Sequence, residues 1–289
     1  MTANSTRSDV YQIITDRIIE ILDQGVTPWR KPWSNGIHVS PRNFVSGKEY
    51  QGINTLLLSC SHYSSPYWLT YKQAQDKGGY VRKGEKGMPV VFWKMYEKED
   101  KTAEDGKKVT PILRYYTVFN AEQCEGIGFP EVEQPETFNN NPIEEAEAVQ
   151  LAMPNRPHVE FGGDMAFYRR STDTVRIPER SRFEKVEEFY STLFHELAHS
   201  TGHEDRLNRA GIVESHFFGD ATYSKEELIA EMTSAFLCAH CHIETTTIEN
   251  SAAYIQGWIK ALKGDKRLAV TAASAAQKAA NFILNIHHD

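Results

Sequence analysis

Cysteine is scarce in this chain. Its four residues, Cys60, Cys124, Cys238 and Cys241, are too few and too scattered over 289 positions to form a disulfide framework. Long apolar runs are missing as well: the stretch from Ile53 to Leu58 is already interrupted by Asn54 and Thr55. Nothing approaches the roughly 20 consecutive apolar residues of a membrane-spanning helix, which argues against a membrane partner. Glycine (18) and proline (12) are at ordinary levels, so collagen-like and wholly disordered chains are excluded. Met1 to Tyr11 is polar and carries no apolar core followed by a cleavage site. The expectation is a soluble cytoplasmic protein. Its 40% hydrophobic and 25% charged residues suffice for one large core or two smaller ones.

The net charge of -7 hides an asymmetry. Residues 1–128 carry 17 Lys+Arg against 14 Asp+Glu, whereas the remainder carries 15 against 25. Between Gln24 and Tyr96 stand ten basic residues and three acidic ones, together with four of the five tryptophans. A basic, aromatic block joined to an acidic one suggests two domains with different partners. Residues 129–142 read FPEVEQPETFNNNP, without a sustained apolar period, and suit an exposed linker. The division expected is therefore 1–128, a linker over 129–143, and 144–289.

In the first block, apolar residues from Val10 to Leu22 recur at helical spacing and predict a helix over 10–24, with Gly25 as its stop. Thr27 to Trp33 then sets Trp29 and Trp33 beside Arg30 and Lys31 on a proline-fixed backbone. Trp68, Tyr71 and Lys72 lead into a cationic, glycine-rich turn with Arg82, Lys83 and Lys86. Cations along phosphates and flat rings under unpaired bases are what a single-stranded nucleic acid needs, so these residues are the candidate binding surface. The same residues are also what a small α+β domain uses for its core and solvated faces. Two β-like runs, from Pro89 to Tyr96 and from Ile112 to Phe119, predict a hairpin whose charged loop covers 97–108.

In the second block, Val186, Phe189, Tyr190, Leu193, Phe194 and Leu197 form an apolar stripe at helical spacing. On the last turns of that helix lies His195-Glu196-Leu197-Ala198-His199. Two imidazoles four residues apart share one face and can hold one Zn²⁺, with Mn²⁺ as another possible occupant. Glu196 between them can serve as general base toward a water that the metal acidifies. Gly202 predicts the turn out of the helix.

A third protein ligand is required. The run from His195 to Asp205 looks like the extended metzincin spacing with Asp205 in the last position. A second helix over 224–236 offers Glu227 and Glu231 on one face and resembles the gluzincin arrangement, in which a downstream Glu ligates and a second acid orients a histidine. On that analogy Glu227 ligates. Ser224 and Glu227 also match a capping box, and in that case Glu231 becomes the ligand. Cys238 and Cys241 have zinc-like spacing without a second pair and read as helix packing. Upstream, runs from Met165 to Arg170 and from Thr174 to Ile177 predict a hairpin.

Several motifs together resemble one family. They are Thr27-Pro-Trp-x-x-Pro-Trp33, Ser46-Gly-Lys-x-Tyr-x-Gly-x-Asn54, Trp68-Leu-Thr-Tyr-Lys-Gln-Ala74 and Val81-Arg-Lys-Gly-Glu-Lys-Gly87. They continue with Tyr116-Thr-Val-Phe-Asn120, HELAHSTGHEDRLNR over 195–209, Glu226-Glu-Leu-Ile-Ala-Glu231 and the segment from Trp258 to Arg267. The chain resembles ArdC-type antirestriction proteins of conjugative plasmids and related mobile elements. The resemblance implies an α+β, two-domain fold: a small domain that binds single-stranded DNA, then a zincin-like metallopeptidase domain. It further implies protection of incoming DNA from host restriction, with a restriction-system protein as a possible peptidase substrate. Two other readings stay open: a single-strand-binding shield whose metal is structural or inactive, and a DNA-cleaving enzyme.

Overall fold

The computed structural model describes residues 9–24, 40–61, 63–99, 107–130, 142–213, 221–243 and 252–287. The chain divides into two units, Met1–Ile18 with Val39–Val132, and Ile19–His38 with Glu133–Asp289.

Helix α1 (Val10–Asp23) follows the expected span, and Asp9 opens it by accepting the Tyr11 N–H at 3.1 Å. Its buried residues Ile14, Ile18 and Leu22 are spaced for one face. The N-terminal unit then runs β1 (Arg42–Asn43), α2 (Ile53–Ser59), β2 (Tyr67–Leu69), α3 (Tyr71–Asp76), β3 (Tyr80–Val81), β4 (Met88–Glu99), β5 (Lys107–Asn120) and β6 (Cys124–Glu125). The main sheet has the order β1-β2-β5-β4, with β1 parallel to β2 and the other pairs antiparallel; β3 and β6 form a separate pair. Thr70 with Gln73, and Asn120 with Gln123, make reciprocal capping boxes that start α3 and the 3₁₀ turn after β5. Gln123 also donates to Glu85 and to the Lys86 carbonyl, which ties the cationic turn to the sheet. Asn54 bonds both backbone groups of Val91 at 2.8 Å, satisfying the free edge of β4 at that point.

Two expectations for this unit change. The hairpin strands are longer than their apolar runs, because pairing continues through the charged residues to Glu99↔Lys107. Backbone hydrogen bonding extends a ladder irrespective of side-chain polarity once the register is set. Trp68, placed with the nucleic-acid surface from its motif, is 1% exposed and meets Tyr63 edge-on. It is a core residue, and its ring offers no face to a base. Tyr71, Lys72, Arg82, Lys83 and Lys86 are exposed. Trp29, Arg30, Lys31 and Trp33 lie outside the described residues.

The C-terminal unit contains α4 (Pro142–Ala152), β7 (His158–Phe161), β8 (Phe167–Arg169), β9 (Thr174–Ile177), α5 (Val186–Ser200), α6 (Ala210–Val213), α7 (Ala221–His240), α8 (Ala252–Gly264) and α9 (Leu268–Ile283). The sheet order β7-β9-β8 leaves β8 at an edge, and β8 with β9 forms the hairpin read from the sequence. Its turn is set by Asp173 at φ +46°, a conformation that Asp tolerates, whose carboxylate accepts the Tyr168 hydroxyl at 2.8 Å and pairs with Arg206. Phe189, Tyr190, Leu193, Phe194 and Leu197 of α5 enter a core completed by Val175 and Ile177 of β9 and by Leu237, Cys238 and Ile283. Behind α7 stands α9, whose Ala272, Ala273, Ala276, Ala279 and Ala280 are buried; small side chains permit close helix approach. Cys238 and Cys241 are both in the core, and burial pushes the Cys238 thiol up to about 12, as expected for packing residues.

Candidate metal centre

The apolar stripe fixes the orientation of α5, and that orientation presents His195 and His199 together at its C-terminal end. Their Nε2 atoms lie 3.1 Å apart, with ring planes at 81°. From α7, Glu227 brings Oε2 to 3.6 Å from His195 Nε2 and Oε1 to 3.6 Å from His199 Nε2. These are the three residues whose donor atoms gather within 4.8 Å of one another among the described residues.

The donor set fits a divalent cation. Tetrahedral ligands at bond lengths of about 2.0–2.1 Å stand ~3.3 Å from each other, and the observed 3.1, 3.6 and 3.6 Å straddle that value. Charge leads the same way. Burial disfavours an imidazolium at His195, yet the carboxylates of Glu227, Glu231 and Glu196 outweigh it and raise its pKa. The pocket is short of positive charge.

Glu196 is buried, and burial raises its pKa against the opposing effects of His199 and His195. The Tyr168 backbone of edge strand β8 faces this carboxylate and weakly opposes the rise. A carboxyl group shifted upward beside a metal site is suited to proton transfer.

The alternatives from the sequence take other places. Asp205 is 74% exposed and its carboxylate stands 3.6 Å from His203 Nδ1, outside the trio. His203 Nδ1 accepts the Asp205 N–H and so shapes the turn after α5. Glu231 is half-buried one turn beyond Glu227, where its charge acts on His195. Helix α7 already begins at Ala221, so position 224 lies inside it and is not an N-cap.

Two residues of the site had no role in the sequence reading. Glu226, side chain 5% exposed, holds its Oε1 3.6 Å from His199 Nδ1, a nitrogen with no partner at hydrogen-bonding distance. Arg209 pairs with that carboxylate through Nε at 3.0 Å, donates to Thr201 Oγ1 at 2.6 Å and donates to the Ala198 carbonyl at 2.8 Å. One guanidinium thus joins the end of α5 to the start of α7. Burial alone would raise the Glu226 pKa, but the contacts with His199 and Arg209 hold it below the ordinary value. The signal was available in the motif HELAHSTGHEDRLNR: an arginine ten residues past the second histidine of a buried helix needs an acid. Gly202 also matters, though by proximity: its φ is not positive, and a Cβ there would stand 2.5 Å from Ile212 Cγ1.

Comparison with known proteins bears on both units. Residues 8–119 match the N-terminal domain of anti-restriction factor ArdC, and residues 145–275 match a family described as zincin-like metallopeptidase. Crystal structures of the antirestriction protein ArdC from plasmid R388 superpose with TM-scores of 0.74 (metal-free) and 0.75 (Mn(II)-bound), at 37% identity. The alignment covers 96% of this chain and 97–98% of those. An uncharacterized protein, y4eC, of Sinorhizobium fredii is 35% identical over 96% of this chain and 92% of its own length. A DNA primase TraC of Escherichia coli is 39% identical over 95% of this chain, which spans 27% of that larger protein. No helix among the described residues is long and apolar enough to cross a membrane.

Proposed function

The chain belongs to the ArdC antirestriction family, and on that premise we propose that it protects transferred plasmid DNA from host restriction by binding single strands and hydrolysing a protein at the metal centre. The observation that carries the second half is the convergence of His195, His199 and Glu227 around one point, with Glu196 buried beside it. These three residues would hold a divalent cation, zinc or manganese, which when bound supplies Lewis acidity toward a peptide carbonyl and acidifies a water. Glu196 is the group that takes up and returns the proton, and its raised pKa keeps the protonated form accessible. Three protein donors, as opposed to four, leave a coordination position for chemistry, which favours a catalytic over a closed structural site. Edge strand β8 supplies a row of backbone groups beside Glu196 on which an extended peptide can align.

The single-strand-binding half is supported by the match of residues 8–119 and by the exposed Tyr71, Lys72, Arg82, Lys83 and Lys86. Arg82 is partly engaged by Glu85 at 2.7 Å, so Lys83 and Lys86 are the freer phosphate contacts of that turn. The test incubates metal-loaded protein with candidate restriction subunits, with and without single-stranded DNA, and compares wild type with Glu196→Gln. Cleavage by wild type that is lost in Glu196→Gln, with metal binding retained, is the expected result. A Gln variant that cuts like wild type refutes the assignment of Glu196.

A further inference from the structure

The β4–β5 register sorts its residues onto two faces. One face begins at the core with Met88, Val90 and Val118, all buried. Two residues further out the core ends, yet the face continues as Phe92, Lys94 and Tyr96, flanked by Arg114 and Tyr116. Phe92 is 41% exposed and Tyr116 36%, with centroids 5.5 Å apart. Lys94 Nζ lies 5.2 Å from the Tyr96 ring centroid, and Arg114 donates to the Tyr96 hydroxyl at 3.1 Å. Rings and cations therefore share one side of the ladder, and no acid stands at its positions from 88 to 96 and 110 to 118.

An apolar partner would leave these cations without counter-charge, and a simple acidic surface would have no use for exposed rings. A strand of unpaired bases answers both, since every base has a π-face and every linkage a negative charge. We propose that the outer half of this face is a stacking platform for single-stranded DNA, with Phe92 and Tyr116 under bases and Lys94 and Arg114 at phosphates. The proposal rests on the single-strand-binding reading above but relocates its centre, from the turn around Arg82 to the β4–β5 ladder.

The test measures anisotropy of a labelled oligothymidine with the full chain and with Phe92→Ala, Tyr116→Ala, Phe92→Trp and Lys94→Gln/Arg114→Gln variants. Both rings are partly buried and Tyr116 also meets the Tyr50 hydroxyl, so each variant is first melted and its affinity read at a temperature where it is fully folded. Each Ala variant should lose roughly 5- to 150-fold in affinity, from the usual worth of one stacked base, and Phe92→Trp should retain binding. Removing both cations should flatten the salt dependence by about 0.7 per lost phosphate contact. If wild type binds and the Ala variants bind equally, the platform is overturned while single-strand binding stands. A wild type that does not bind overturns both. If the variants change only the sedimenting mass, the face joins copies of the chain and the proposal is overturned.

Discussion

Replacing Glu226 by Gln removes one negative charge from a nearly closed site and leaves its volume almost unchanged. Arg209, side chain 11% exposed, would keep Thr201 Oγ1 and the Ala198 carbonyl as acceptors but lose its counter-ion. Breaking a buried pair from one side costs about 3–5 kcal/mol, and the retained acceptors place this case near 3. For a unit of this size, that is a fall in melting temperature of about 6–12 °C. His199 would also lose the carboxylate facing its Nδ1, and removal of such an outer partner lowers metal affinity by roughly 10- to 100-fold. Scanning calorimetry in chelator gives the first quantity, and calorimetric titration with Zn²⁺ or Mn²⁺ gives the second. The two effects separate in Arg209→Met/Glu226→Gln: with no stranded charge, stability recovers in part while metal affinity stays low. A Glu226→Gln protein that melts and binds metal like wild type would refute the coupling of Arg209, Glu226 and His199.

Gly202→Ala should destabilise by about 1–3 kcal/mol through overpacking against Ile212, and Ile212→Ala in the same chain should return part of it in chemical denaturation. Trp68→Ala should cost about 3–5 kcal/mol as a core deletion, whereas Trp68→Phe, in anisotropy on folded protein, should bind single-stranded DNA as wild type does. Glu147 accepts the Tyr190 hydroxyl at 2.7 Å and pairs with Arg180; burial opposes ionisation there, but these contacts and Gln150 hold its pKa below 4.5. Since the unfolded chain then binds more protons, this contribution is full above about pH 4.5 and fades as pH falls through the lower native value. Melting temperatures below that pH should therefore fall more steeply for wild type than for Glu147→Gln.

The amino-acid order exposed those features that repeat along an element or sit within one turn. The stripe from Phe189 to Leu197 set α5, and the five residues from His195 to His199 follow from it. The β8–β9 hairpin was legible because Ser-Thr-Asp separates two β-like runs. The tertiary partnerships were less so. Trp68 read like Trp29 and Trp33, because a motif carries residue type and not depth. Glu226 was passed over in favour of Glu227 and Glu231, since choosing among neighbouring acids needs the roll of α7 about its axis, and that is fixed by α5 and α9. The β4–β5 ladder outran its apolar runs because backbone pairing does not register in hydropathy. Helix α4 begins inside the stretch read as linker, where Pro142 suits a first helical position but Asn-rich sequence precedes it.

The alanine ridge of α9 carries a consequence for inherited or engineered variation. Helix α7 bears Glu227 and Glu231 on one side and meets the small residues of α9 and the Ala276 carbonyl on another, where Thr233 Oγ1 approaches to 3.3 Å. A leucine introduced at Ala276 would lever the acids off their histidines from behind, and a lesion with no chemistry of its own would present as a failure to hold metal.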